Sequence, residues 1–454
     1  MPICNPALLE KRLNEFDPRV RRDALEALLA LTGRQAPADS GGNVNMHCHS
    51  FFSYHAEGWS PTRIAWSCHR QGLHAAALCD FDVLDGLDEF LRAGLTLGLR
   101  TAVHLETRAF LADCAQQDIN SPGEPGVTYI MGAGFVAKPA TNTPQGRSLA
   151  QFRNSASTRN EALIARINEK IPAIRIQYAH DVLPLTPLGV ATERHIVRAY
   201  VAQARQAFAD AAKRAAFWAP LLKRKPEECK TLESDETKFE EAIRGALAKR
   251  GGIGYAQPDA TTFPPIEEFI AWVRACDAIP MIAWLDGTSA GEADCRAMLA
   301  LLRDKGCAAL YIVPERNWNI AKPQERDLKV AKLHEIVQEA TAMDLPINIG
   351  TEMNRAGLPP ADELNGPVLC QHREIFQQGA HIMVGHTLLA RYAAAPYLGA
   401  RAEAEFPQRK DRNQFYAAVG ALPPVTHDIA DTYLDAGPDK TFQLLADAAA
   451  KAKK

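Results

Sequence analysis

Apolar residues Leu9, Leu13, Phe16, Val20, Ala24 and Leu28 recur at three- and four-residue steps. That period predicts an amphipathic helical segment over residues 6–32, interrupted near Asp17-Pro18. The loop Ala36-Pro37-Ala38-Asp39-Ser40-Gly41-Gly42 then leads to a first strand at residues 43–46. Ser60-Pro61 starts a helix, with serine as the cap and proline in the first turn, and Gly72 stops it. Residues 74–79 form a buried strand, 87–97 a helix and 101–106 another strand. Such short alternation predicts a parallel sheet or barrel with its chemistry at the carboxyl ends of the strands.

Residues 112–250 break this rhythm. A further strand is expected at 127–135, followed by a polar stretch at 138–157. Residues 160–171 and 193–216 have helical periodicity, and 223–236 are charged and expected to be exposed. The α/β rhythm resumes with strands at 279–284, 308–313 and 346–350 and helices at 295–305 and 328–343. His381 and His386, in Gly379-Ala380-His381-Ile382-Met383-Val384-Gly385-His386, read as a strand with turn residues. The chain ends in an Ala/Lys-rich helix. The expected divisions are an N-terminal helical segment (1–42), a barrel (43–111 and 251–400), a mostly helical insertion (112–250) and a C-terminal helical extension (401–454).

Composition narrows the possibilities. With 47% hydrophobic and 23% charged residues over 454 positions, the chain has the balance of a soluble globular protein. A net charge of −3 gives no electrostatic case for binding nucleic acid or membrane, although a locally basic site can still receive a small anionic substrate. The ten cysteines form no CxxC pair, and the N-terminus lacks the basic start and apolar run of a signal peptide. No apolar run reaches the roughly 18 residues of a spanning helix. Reduced thiols and a cytoplasmic location are expected, with Cys48 and Cys79 as small core residues. Assembly into a homo-oligomer is left open.

The candidate chemistry begins at Asn45-Met46-His47-Cys48-His49-Ser50. Strand alternation sends His47 and His49 to one face, where two imidazoles can converge on a cation. An HxH pair alone is a weak signal. Here it is followed in order by Gly58-x-Ser60-Pro61, by Leu78-Cys79-Asp80-Phe81-Asp82-Val83-Leu84-Asp85-Gly86, and by Leu105-Glu106-Thr107.

These segments resemble the polymerase-and-histidinol-phosphatase (PHP) family: a strand ending in HxHS, a Gly-x-(Ser/Thr)-Pro helix start, a strand ending in Asp-His-Asp and a third ending in a glutamate ligand. Looser likeness continues through Tyr178-Ala179-His180-Asp181-Val182, Thr192-Glu193-Arg194-His195-Ile196-Val197 and Ile347-Asn348-Ile349-Gly350-Thr351-Glu352-Met353-Asn354. The resemblance implies a distorted (β/α)7 TIM-like barrel and a cluster of up to three metals that hydrolyses phosphoesters. It also has departures. Phe81 replaces the histidine of Asp-His-Asp and cannot bind metal, and His55 or Glu57 lies where an aspartate is expected. Tyr129 lies near a histidine position, Trp284-Leu285-Asp286 replaces a His-Pro ligand, and Glu352 and Asn354 replace the last Asp-x-His.

The family's first metal maps onto His47, His49, Glu106 and Glu352, all able to coordinate, whereas the positions for the other two are mostly lost. The expectation is therefore one divalent ion per chain: zinc, iron or manganese. Asp80 and Asp82 are the acid–base candidates, and Arg108, Arg194 and His195 are candidates for holding an anionic substrate. His104 shares strand parity with Glu106 and is expected lower in the same pocket. The implied activity is metal-dependent hydrolysis of a small phosphorylated or anionic metabolite. A carbon–nitrogen hydrolase, a lyase, or a ligand-binding protein with a degenerate site are the alternatives.

Overall fold

The structure, a computed structural model, describes residues 5–33 and 41–452. It is a mixed α/β fold around one seven-stranded sheet, in the order β1 (Val44–Cys48), β2 (Ala75–Phe81), β3 (Arg100–Phe110), β4 (Val127–Ala133), β5 (Ile279–Trp284), β6 (Ala309–Ile312) and β7 (Ile347–Ile349). The sheet curls until it nearly closes. Cys48 bridges Glu352 just beyond β7, where the His49 N–H donates to the Glu352 carbonyl (3.0 Å) and the Glu352 N–H to the His47 carbonyl (2.9 Å).

The strands of β2 and β5 are almost wholly buried apolar runs, as expected of strands covered on both faces. One expectation fails. β4 runs antiparallel to both β3 and β5, so the sheet is not all parallel, and this strand from within the presumed insertion is part of the barrel wall. Strand alternation is the same in either direction, so orientation was not readable.

The N-terminal helices α1 (Pro6–Arg12) and α2 (Pro18–Thr32) pack against α3 (Pro61–Arg70) and α4 (Leu87–Leu97) on the outside of the barrel. A buried ion pair joins them: Arg21 Nε donates to Glu89 (2.8 Å), which also accepts from the Thr62 hydroxyl (2.6 Å). Residues 36–40 of the intervening loop lie outside the described residues.

The helices α5 (Pro144–Lys170), α6 (Glu193–Ala207), α7 (Ala211–Leu222), α8 (Pro226–Leu232) and α9 (Glu236–Leu247) gather around a core of their own, including Ile167, Tyr200, Trp218, Phe239 and Ile243. The sequence reading was too coarse here. Residues 138–157 are not merely a polar stretch, because α5 begins at Pro144 under a Thr143 cap. The segment 193–216 is split by the Asp210 cap, and 223–236 contains α8.

α10 (Ile266–Ala275), α11 (Cys295–Asp304), α12 (Glu315–Trp318) and α13 (Pro323–Ala342) complete the barrel's outer layer. They are followed by α14 (Arg373–Ala393), α15 (Ala400–Glu405), α16 (Arg409–Gly420), α17 (His427–Ala436) and α18 (Pro438–Ala452). The predicted strand around His381 and His386 is in fact the middle of α14. Its glycines are not turn residues. A Cβ at Gly379 would lie 1.9 Å from the Ile347 carbonyl oxygen, and one at Gly385 would lie 2.0 Å from that of Tyr416. The glycines let α14 press against β7 and α16 beneath the amino-terminal end of the strands. Among the described residues, no helix is long and apolar enough to cross a membrane.

Candidate metal centre

Two adjacent parallel strands and the first one set the site. β2 pairs in register with β3 so that Phe81 lies beside Glu106, and β1 on the other side of β2 ends at His47-Cys48. Both imidazoles turn inward with Glu106. The Nε2 atoms of His47 and His49 are 3.1 Å apart, and each lies near Glu106 Oε2, at 3.3 and 3.4 Å. Among the described residues, these three form the one group of three or more His, Cys, Asp or Glu side chains whose ligand atoms converge, all within 4.8 Å.

The donor set fits a cation. Four nitrogen or oxygen ligands at about 2.0–2.2 Å from a tetrahedral zinc stand about 3.3–3.6 Å apart, close to the spacings seen here. Glu106 Oε2 is buried without a hydrogen bond. Burial lowers both histidines to about 4, so their nitrogens carry free lone pairs at neutral pH. Burial pushes the Glu106 carboxyl up, opposed by His49, and a cation would supply the missing charge.

Glu352, the fourth expected ligand, stands outside this group. It sits at φ +61°, in the left-handed region. Its carboxylate accepts Arg316 Nη2 on both oxygens (2.9 and 3.2 Å) and Asn354 Nδ2 on Oε2 (3.0 Å). Burial alone would raise Glu352, but Arg316 and then His47 and His49 lower it well below the usual carboxylate range.

Phe81 is stacked on His49, with ring centroids 4.6 Å apart, and Tyr311 lies 4.5 Å from His47. His55 stacks on Trp59 and accepts the Glu57 N–H through Nδ1 (3.0 Å). His104 lies fully buried, lower in the barrel.

The two aspartates part company. Asp82 lines the cavity above the cluster, accepting from Thr107 Oγ1 (2.5 Å) with Arg159 at 3.7 Å. Asp80 is buried and turned away. It accepts from the Ser50 N–H and hydroxyl (2.7 Å each) and from Ser53 Oγ (2.6 Å), while burial raises it to about 6. Both its oxygens are occupied, so its geometry is that of a support, not of an acid–base group facing the cavity.

The cavity has a volume of about 720 Å³ and lies between the barrel mouth and the helical insertion. Arg108 and Arg194 both line it, paired with Glu124 (3.1 Å) and Glu241 (3.0 Å). The Arg108 guanidinium also sits 4.3 Å over Phe263. His195 does not line the cavity. Its Nδ1 accepts the Thr192 N–H (3.1 Å) at the start of α6, and its ring meets Tyr54 edge-on. Sequence reasoning missed Arg159, Arg316 and Ser53. Ser53 was findable, three residues past Ser50, but nothing in the sequence placed the two arginines.

A seven-stranded α/β barrel with a His-His-Glu cluster able to hold a metal ion is thus what fold and site define. No family model and no curated protein matches the chain. Solved structures similar to it include a "putative metal-dependent phosphoesterase" from Bifidobacterium adolescentis, at 18% identity and TM-score 0.45, covering 74% of this chain and 97% of that one. Another is an amidohydrolase from Chromobacterium violaceum with bound sulfate and no metal, at 14% identity and TM-score 0.46, covering 73% and 96%. At those identities and scores, the likeness does not bear on the site's chemistry.

Proposed function

We propose that the protein is a metal-dependent hydrolase of PHP type acting on a small phosphorylated or otherwise anionic metabolite, with one divalent cation held by His47, His49 and Glu106. The observation that carries the reading is the convergence of those three buried ligand atoms, with Glu106 lining a cavity rich in arginine. A divalent cation in such a site acts as a Lewis acid and makes water a competent nucleophile near neutral pH. Asp82, at the cavity wall, is the group placed to accept or return a proton. Arg108, Arg159 and Arg194 hold the anionic part of the substrate, and the Phe263 ring under the Arg108 and Arg159 guanidinium groups restricts their freedom.

A single cation is supported by the Phe81 ring stacked on His49, since phenylalanine offers no ligand atom for a second ion. Carbon–nitrogen hydrolysis is the second reading that this reduced donor set favours. The test is elemental analysis of the protein after chelation and reloading with zinc, manganese or iron, followed by phosphomonoester and amide screens. One ion per chain and hydrolysis lost on chelation are expected. Two or more ions per chain, or none, would sink the single-metal reading.

A further inference from the structure

Arg316, on the short helix α12 after β6, lines the same cavity as Glu106 and pairs with Glu352. Its anchor is unusually fixed. Glu352 is tied to β1 by two backbone hydrogen bonds, and both Glu352 and Met353 adopt left-handed backbone conformations, at φ +61° and +55°. Two successive non-glycine residues in that region cost energy, and they persist only where the surrounding contacts impose them. The result is a carboxylate whose two oxygens are held by Arg316 and Asn354, outside the His47–His49–Glu106 group.

The guanidinium is only partly used by this contact. Nη2 makes both bonds to Glu352, while Nε and Nη1 have no protein acceptor among the described residues. The side chain is 43% exposed and lines the same cavity as Glu106. Arg244, by contrast, is spread over Glu193 and Glu241, with Nε, Nη1 and Nη2 all engaged. Arg316 keeps its Nη1 hydrogens and its Nε–H as unused single donors on a permanently charged group, able to bind an oxyanion.

Building on the metal-hydrolase reading, we infer that Arg316 is a substrate-binding residue whose unused Nη1 hydrogens donate to the reacting oxyanion of the substrate beside the cation, with Glu352 as its positioning residue. The two halves of the site then have different duties. His47, His49 and Glu106 hold the cation, and Arg316, fixed by Glu352, supplies hydrogen-bond donors whose position does not depend on metal.

The experiment uses the full chain loaded with zinc and inorganic phosphate as the probe, followed by titration calorimetry, with metal content measured on the same samples. Arg316→Met should weaken phosphate binding about 10- to 100-fold with one zinc retained per chain. Arg316→Lys should fall between, because an ammonium keeps the charge but cannot hold Glu352 and reach the substrate with separate nitrogens. Since Arg316→Met leaves Glu352 without its partner, the double variant Arg316→Met/Glu352→Gln removes the pair as a unit and should show the same loss. A folded, zinc-loaded double variant that binds phosphate within about twofold of the parent overturns the inference, as does a zinc-loaded parent that binds no phosphate. A parent that takes up no cation overturns the hydrolase reading and this inference together, and elemental analysis identifies that case before any variant is made.

Discussion

The two walls of the barrel are built from the same kind of parallel strands, β1–β3 on one side and β5–β7 on the other, yet they present opposite chemistry to the cavity. The first wall contributes two imidazoles and a carboxylate. The second contributes the Trp284 and Tyr311 side chains and, on the loops beyond its strands, the Arg316–Glu352 ion pair. The difference lies in what positions each group. Glu106 lies within β3, His47 within β1 and His49 at its end, so backbone register fixes their spacing. Arg316 and Glu352 lie beyond β6 and β7, where they hold one another instead.

The largest effects should therefore come from the first wall. Structural zinc sites supply about 10–16 kcal/mol from four ligands, or about 2.5–4 kcal/mol each. His47→Ala, His49→Ala and Glu106→Gln should each weaken cation binding by several hundred-fold, measured by competition with a colorimetric chelator. Glu352→Gln should leave the protein with one ion per chain. If Glu352→Gln loses the ion as the histidine variants do, the contrast between the walls is broken and the carboxylate is a ligand after all.

The same contrast explains what could be read in the sequence. His47, His49 and Glu106 fall within 60 residues, on β1 and β3 with only β2 between them, so local periodicity and motif order sufficed to bring them together. Glu352 has the right residue type at the right end of β7, but its carboxylate direction follows from a left-handed backbone that its own sequence does not announce. His386 was misread for a related reason. Glycines spaced to let a helix approach another element look like turn residues until the neighbour is known. The antiparallel β4 and the full length of α5 were hidden too. The first half of α5 is rich in Ser, Asn and Gln and is held mainly through contacts such as Phe152 with Trp272, which are made across more than a hundred residues.

The comparison sharpens at the far end of the strands. The histidines at the mouth are neutral and converge on one another, whereas His386 at the base has both nitrogens satisfied. Its Nε2 donates to the Gly134 carbonyl (2.9 Å), and its Nδ1 accepts the Tyr397 N–H (3.0 Å). Burial lowers its pKa from 6.5 to about 4, and protonation would set one N–H against another. A histidine depressed on folding gives stability that is full above its unfolded pKa of 6.5 and is lost progressively as pH falls from there to about 4. The loss is about 3 kcal/mol at 1.36 kcal/mol per pKa unit. Denaturant unfolding of the protein and a His386→Gln variant from pH 7 to 4 should show the protein's advantage shrinking by that amount. Parallel stability curves would refute the assignment.

A smaller effect tests whether the first wall's ligands are aimed from behind. Ser53 Oγ lies 2.6 Å from Asp80 Oδ1 and 3.3 Å from His49 Nδ1. A hydroxyl has one proton, and the carboxylate can only accept, so Ser53 donates to Asp80 and accepts from His49. That places the imidazole proton on Nδ1 and leaves the Nε2 lone pair directed at His47 and Glu106. Outer partners of metal-binding histidines are commonly worth about 10- to 100-fold in affinity. The Ser53–His49 contact is long, so Ser53→Ala should weaken zinc binding by about 10-fold, at the low end of that range. Ser53→Thr, which restores the hydroxyl, should recover most of the affinity. Equal zinc affinity in Ser53→Ala and the parent would show that the His49 tautomer is set by the cation alone, and Asp80 would then be a loop anchor with no part in the site.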